Sequence, residues 1–227
     1  MSRATSQLVW HASPCEPMED MTALHVWQCD LDRDTINIDP KLVLSANEIA
    51  RAQRLVDTQK RARCLASRVL LRQIFGKVLK LNPRAVEFAF NEHGKPRLAQ
   101  GDAVGSLQFN LSHSENLWLL GVSFGREIGV DVEVVRADVN IAALTENYFS
   151  LAEQAWLMTQ SATDMNANFF RLWTRKEAFV KALGSGISAP LNQLDTHALP
   201  SHWTIIQRDF TVDSRNAIAA FVVKSKA

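Results

Sequence analysis

The chain has few cysteines, no long apolar run and almost no net charge, and each shortage removes a class of protein. Its three cysteines, Cys15, Cys29 and Cys64, are odd in number and nowhere spaced C-x-x-C. That argues against both a disulfide framework and a structural zinc site. They read as free thiols in a reducing cytosol. The longest apolar run, Ala217 to Val223, covers seven residues, about a third of what a membrane-spanning helix needs. Polar residues and prolines break the first twenty positions, where a secretory signal requires an apolar core. The expectation is a cytoplasmic protein with no membrane partner. A net charge of +1 and 47% hydrophobic residues in 227 describe an ordinary soluble chain, long enough for one large or two small domains.

The small net charge conceals an asymmetry. Between Arg51 and Lys80 stand nine basic residues (Arg51, Arg54, Lys60, Arg61, Arg63, Arg68, Arg72, Lys77, Lys80) against one acid, Asp57, a local +8 that leaves the rest of the chain 7 units negative. A one-signed segment suits an anionic partner, although basic outer faces on two solvated helices account for most of such residues. A single aromatic, Phe75, stands among the bases, so nucleic acid is not the expected partner. A small polyanion or an acidic protein fits better.

Two stretches carry the chemistry. In Gly129-Val130-Asp131-Val132-Glu133 the apolar residues Ile128, Val130, Val132 and Val134 alternate with the rest. On a strand this sends Asp131 and Glu133 to one face. Adjacent carboxylates on one face repel unless they are solvated, one is protonated, or a cation sits between them. In Trp173-Thr174-Arg175-Lys176-Glu177-Ala178-Phe179-Val180-Lys181, Glu177 and Lys181 fall at i and i+4 of a helix running from Phe170 to the Gly184-Ser185-Gly186 punctuation. Glu177 is then a third carboxylate for the same cation, with an ammonium beside it. The plainer readings are an exposed edge-strand pair and a surface i,i+4 ion pair of a few tenths of a kcal/mol.

The chain also repeats itself. Leu24 to Cys29 and Ile128 to Glu133 are in phase at an offset of 104, and each strand leads to a Ser-x-x-Glu capping box, Ser45 to Glu48 and Ser150 to Glu153, offset by 105. Second helices follow, Cys64 to Leu79 and Phe170 to Leu183, with Phe75 and Phe179, Lys77 and Lys181, Leu79 and Leu183 again 104 apart. The counterparts of Asp131 and Glu133 are Trp27 and Cys29, so the fold does not require the carboxylates. Function explains them better, with a ligand expected in the crevice between the halves. Between the helices, Val86, Phe88 and Phe90 alternate into a turn at Asn91 to Pro96, and Leu107 to Ser112, Leu117 to Phe124 and Glu127 to Val134 read as an antiparallel meander. This meander brings Asn110 to His113 close to Asp131. Two last strands, Trp203 to Gln207 and Ala217 to Val223, flank a polar turn near Asp213 to Asn216.

Together Gly94-Lys95-Pro96, Phe109-Asn110-Leu111-Ser112-His113-Ser114, Gly129 to Glu133 and Phe170 to Gly186 resemble the large, surfactin-synthetase-activating class of 4′-phosphopantetheinyl transferases. The resemblance runs from about Leu24 to Val223, and the two sequence patterns are specific as a pair. It implies an α+β fold of two pseudo-duplicated subdomains, residues 1–125 and 126–227, with the active site in the cleft between them. It implies a monomeric enzyme that transfers the 4′-phosphopantetheine arm of coenzyme A to a serine of an acyl, peptidyl or polyketide-type carrier protein and releases 3′,5′-ADP. Asp131, Glu133 and Glu177 match the family's magnesium ligands. Glu177 matches the proton acceptor, Lys181 a phosphate contact, and Arg63, Lys95, Pro96, Ser112 and His113 positions that touch coenzyme A, with Arg63 and His113 nearest the 3′-phosphate. Glu48 stands where the family usually has a base, leaving Arg51 alone there, and Glu153 is a weak match to an auxiliary acid. Two rivals remain: a carrier or coenzyme A binding module without catalysis, and a magnesium-dependent phosphoesterase with similar carboxylates.

Overall fold

The computed structural model describes residues 7–11, 18–34, 38–99, 107–184 and 190–225. Cys15 and the Ser185-Gly186 part of the glycine punctuation lie outside the described residues. In chain order the elements are β1 (Leu8–His11), β2 (Leu24–Asp30), α1 (Pro40–Val43), α2 (Ala46–Gln53), α3 (Thr58–Val78), β3 (Phe88–Phe90), β4 (Pro96–Leu98), β5 (Leu107–Ser114), β6 (Leu117–Phe124), β7 (Ile128–Val134), α4 (Ile141–Tyr148), α5 (Leu151–Met158), α6 (Met165–Leu183), β8 (Trp203–Val212) and β9 (Arg215–Lys224). No helix among the described residues is long and apolar enough to cross a membrane.

Mixed helices and sheets form two halves of the same plan. One sheet has the order β1-β2-β6-β5 and another the order β7-β9-β8, with β3 and β4 a separate pair. Remove the parallel strand β1 and the two larger sheets match, since β2-β6-β5 and β7-β9-β8 are both antiparallel and both place the first strand against the last of a hairpin. The Asp213-Ser214 turn of the second hairpin has φ of 50° and 63°, the left-handed pair that a two-residue hairpin turn demands. Both capping boxes form. Ser45 and Glu48 cap α2, and Ser150 and Glu153 cap α5, each serine accepting the glutamate's amide while the glutamate carboxylate accepts the serine's. Such a cap is worth about 1 kcal/mol.

The repeat reaches further than the sequence pattern did. Glu48 also receives Arg72, with Nη2 to Oε2 at 2.9 Å, and Glu153 receives Lys176 at 2.6 Å. Arg72 and Lys176 are again 104 positions apart. Each half therefore nails its capped helix to its long helix through one largely buried ion pair, in which removal of one partner would leave the other charge uncompensated. Glu48 is thus committed to structure.

One expectation about strand pairing does not hold. β5 and β6 form the hairpin, but β7 pairs with β9 instead of continuing the meander. The reason lies in the duplication: β7 is the first strand of the second half, as β2 is of the first. The core is divided accordingly. Trp27, Leu70, Leu71, Phe75, Phe109, Trp118 and Leu120 fill the space under α3. Phe149, Phe169, Phe170 and Leu172 do so under α6, with Trp173 packed at the margin. A third cluster, including Val26, Leu119, Val130, Val132 and Phe221, joins the halves. Cys29 and Cys64 are unpaired, and burial pushes the Cys29 thiol up to about 12, so it acts as a small apolar residue.

Candidate active site

Strand β5 is an edge of the first sheet and β7 an edge of the second, and the two lie side by side without a backbone ladder. Side chains take its place. Asn110, Ser112 and Ser114 alternate along β5, so all three point to β7. Asn110 Oδ1 accepts the Val130 amide at 2.8 Å, Ser112 Oγ donates to Asp131 Oδ1 at 2.8 Å, and Ser114 Oγ donates to Glu133 Oε2 at 2.8 Å while accepting the Val134 amide at 3.1 Å. The first half thereby orients both carboxylates of the second.

Helix α6 supplies the remaining groups because Gly129 lets it come close. A Cβ at Gly129 would lie 1.8 Å from the Ala178 carbonyl oxygen and 2.3 Å from the Ala182 amide. At that approach Lys181 Nζ donates to Asp131 Oδ1 at 2.6 Å and to Ser112 Oγ at 3.0 Å.

Burial dominates the electrostatics. Asp131 is 3% exposed, and its carboxyl is pushed above the usual range by loss of water, against the pull of Lys181 and Ser112. Glu133 and Glu177 are raised as well, first by burial and next by the negative charge of Asp131. Neighbouring carboxylates under this strain are relieved by a hard cation with oxygen ligands. Asp131 Oδ2 points the same way: it is buried and no hydrogen bond reaches it, which costs about 1–3 kcal/mol for a polar group. Among the described residues no three His, Cys, Asp or Glu side chains form a ready-made metal cage. The donor set and the orphaned oxygen nonetheless fit a divalent cation such as Mg2+.

A cavity of about 370 Å³ opens beside this cluster, lined by Glu177 and Lys181 on one side and by Arg51, Arg68, Phe90, His93, Lys95, Pro96 and Asn110 on the other. His113 is on the exposed side of β5. Its imidazole is held below its ordinary pKa, mainly by the protein mass around it and then by Lys181 and Arg63, with Asp131 opposing. Arg63 therefore stands in electrostatic reach of His113, but its fork is engaged: Nε donates to Asp32 Oδ1 at 2.8 Å and Nη2 to Oδ2 at 2.6 Å. Lys95 lines the cavity, and its ammonium donates to the carbonyls of Ile128 and Ala182, each at 3.1 Å.

Sequence reasoning missed Arg68 as a wall of the cavity and Ser114 as the partner of Glu133. The polar alternation Asn110, Ser112, Ser114 on a strand was the available signal. Glu153 is not an auxiliary acid of this cluster. It is fully buried, with Oε1 taking the amide and hydroxyl of Thr196 and Oε2 taking Ser150 and Lys176.

Comparison with known proteins identifies the family. A family model described as 4′-phosphopantetheinyl transferase superfamily matches residues 127–222, and one described as 4′-phosphopantetheinyl transferase, N-terminal, matches residues 39–123. The chain is 34% identical over 210 residues to the 4′-phosphopantetheinyl transferase HetI of Nostoc sp., covering 88% of this chain and 87% of that one. It is 35% identical over 160 residues to AcpT of Salmonella typhimurium, 70% of each, and 29% identical over 182 residues to ffp of Bacillus subtilis, 71% of this chain and 79% of that one. With both halves matched in order and one relative similar over nearly its whole length, the chain belongs to the 4′-phosphopantetheinyl transferase superfamily.

Proposed function

We propose that this enzyme transfers the 4′-phosphopantetheine arm of coenzyme A to the acceptor serine of a carrier protein, releasing 3′,5′-ADP, with Mg2+ held by Asp131, Glu133 and Glu177. The observation that carries the reading is Asp131 itself, buried, orphaned at Oδ2 and clasped at Oδ1 by residues of both halves. The cation would supply positive charge against the diphosphate. Glu177 lines the cavity, where its carboxylate is placed to take the serine proton. The serine oxygen then bonds to the phosphorus that bears pantetheine, and the bridging bond breaks toward the nucleotide. Lys181 keeps an ammonium at the same place to steady the phosphates. Residues 1–125 supply the nucleotide contacts and residues 126–227 the carboxylates and the catalytic helix. The test is intact mass of a panel of carriers after incubation with coenzyme A and magnesium. A carrier heavier by the pantetheine arm, with 3′,5′-ADP, supports transfer. Free phosphopantetheine marks a phosphoesterase, and no product a binding module.

For the nucleotide end, Arg63→Ala and His113→Ala should each raise the Michaelis constant for coenzyme A more than for its 3′-dephospho analogue. The loss corresponds to about 1.5–3 kcal/mol for a hydrogen bond to a charged phosphate. Equal penalties with both substrates would show structural roles, which for Arg63 means only its pairing with Asp32.

The basic segment divides into two groups. Arg61, Arg63 and Arg72 are tied to the Leu55 carbonyl, Asp32 and Glu48, whereas Arg54 and Lys60 are exposed. Carriers of this family are usually acidic around the acceptor serine, so the exposed bases should act on encounter rate. Arg54→Glu with Lys60→Glu should lower kcat/KM for the carrier at low salt, with the difference shrinking as ionic strength rises. An effect confined to coenzyme A would rule out docking through this segment.

A further inference from the structure

The turn between β3 and β4 belongs to the first half, yet its side chains reach the second. Asn91 organises the turn from within: its Oδ1 accepts the amides of His93 at 3.0 Å and Lys95 at 2.8 Å, its amide donates to the Lys95 carbonyl at 3.0 Å, and its carbonyl accepts Gly94 N at 3.0 Å. Gly94 adopts φ of 81°, open to glycine at no steric cost. The turn is therefore stiff. From it Asn91 Nδ2 donates to the Gly184 carbonyl at 2.9 Å, and Lys95 Nζ donates to the carbonyls of Ala182 and Ile128. Ala182 and Gly184 are the end of α6, where helix carbonyls lack intrahelical donors and a cation is favoured. Ile128 opens β7.

One ammonium thus ties together the two backbone segments that carry the site. Ala182 follows Lys181, and Ile128 precedes Asp131 by three residues. We propose that the Asn91–Lys95 turn is a latch from the first half that fixes the end of α6 against β7, so that Lys95 is a positioning residue for Glu177 and Lys181. A lysine serving the coenzyme would present its ammonium to the cavity, whereas here the stem packs 3.3 Å from where a Gly184 Cβ would stand and the ammonium is directed to the carbonyls. Desolvation agrees with that placement. It brings Lys95 down to about 8, with Glu127 pulling the other way, a cost that a solvated phosphate ligand would not carry.

The latch rests on the catalytic reading of Glu177 and Lys181, and two independent measurements separate them. Lys95→Met should lower kcat about tenfold through misplacement of the helix end, while the Michaelis constant for coenzyme A stays within about twofold. Lys95→Arg, which keeps a charged donor of multiple N–H groups, should recover much of that loss. Amide hydrogen exchange at residues 180–184 should quicken in Lys95→Met and in Asn91→Ala, with β2 and β6 unchanged, in protein shown to be folded by its thermal melt. Unchanged exchange at that helix end overturns the latch. So does a tenfold rise in the Michaelis constant with kcat held, which would return Lys95 to the coenzyme. If Glu177→Gln remained active, the catalytic reading would fall with the kcat arm, and exchange would still decide whether the turn holds the helix.

Discussion

Glu177→Gln should lower the transfer rate by about 10²–10⁴-fold, the range for loss of a positioned acid–base group, while the melting temperature stays at or above that of the parent. The two halves of this expectation come from one fact. Burial and the charge of Asp131 raise the Glu177 carboxyl above its ordinary range. The folded state then holds a proton more tightly than the unfolded chain does. Ionised Glu177 therefore costs stability, a cost fully present above the raised folded pKa and absent below the unfolded value. At neutral pH glutamine removes the cost together with the base. As pH falls toward the unfolded value, the parent regains that stability and the gap between the two melts should close. Asp131→Asn follows the same sign at its own carboxyl, although it leaves Lys181 without its partner. Activity and thermal melting across pH check both. A few-fold loss of activity in Glu177→Gln, or a clear fall in melting temperature, would sink the account of strained carboxylates. Added Mg2+ should raise the parent's melting temperature more than that of either variant, because cation binding relieves the repulsion that the substitutions remove.

Gly129→Ala is expected to be a severely damaging single-methyl change. Its Cβ would stand 1.8 Å from a backbone oxygen and 2.3 Å from a backbone nitrogen of α6, and neither can rotate aside as a side chain would. Overpacking with mobile neighbours costs about 1–3 kcal/mol. Here helix and strand must separate, so about 3 kcal/mol or more is expected in denaturant unfolding. The same displacement draws Glu177 and Lys181 away from Asp131, so residual folded protein should also be slow. Gly94→Ala makes a useful contrast, since open space surrounds that position and only the φ of 81° is strained. A Gly129→Ala protein within about 1 kcal/mol of the parent and fully active would refute the close-approach argument.

How far the sequence revealed this site depended on whether a signal was local. Asp131 and Glu133 were legible because strand alternation is a period of two, and Glu177 with Lys181 because helix spacing is fixed. The capping boxes were legible for the same reason, and their offset exposed the duplication. The length of α3 was underestimated, since its polar first turn from Thr58, capped by Asp57, has no apolar periodicity to mark it. Strand partners were the weakest inference. β7 follows β6 after a three-residue turn, which favours a hairpin locally, and only the global repeat assigns it to β9. The engagement of Arg63 with Asp32, of Lys95 with two carbonyls and of Glu153 with Lys176 was invisible in principle. Each pairs groups far apart in sequence, and nothing in a residue's identity says whether its charge is already answered.

The side-chain junction between β5 and β7 also bears on the order in which the molecule becomes competent. Each half closes its own backbone ladders, so either sheet can consolidate from contacts within itself. Asp131, by contrast, meets Ser112 only when two finished edges come together. The geometry at Asp131 is therefore a product of docking, a step that follows the folding of each half. In refolding, helical and sheet signals should recover first and enzyme activity last. The interval between them measures the time two halves spend folded but not yet an enzyme.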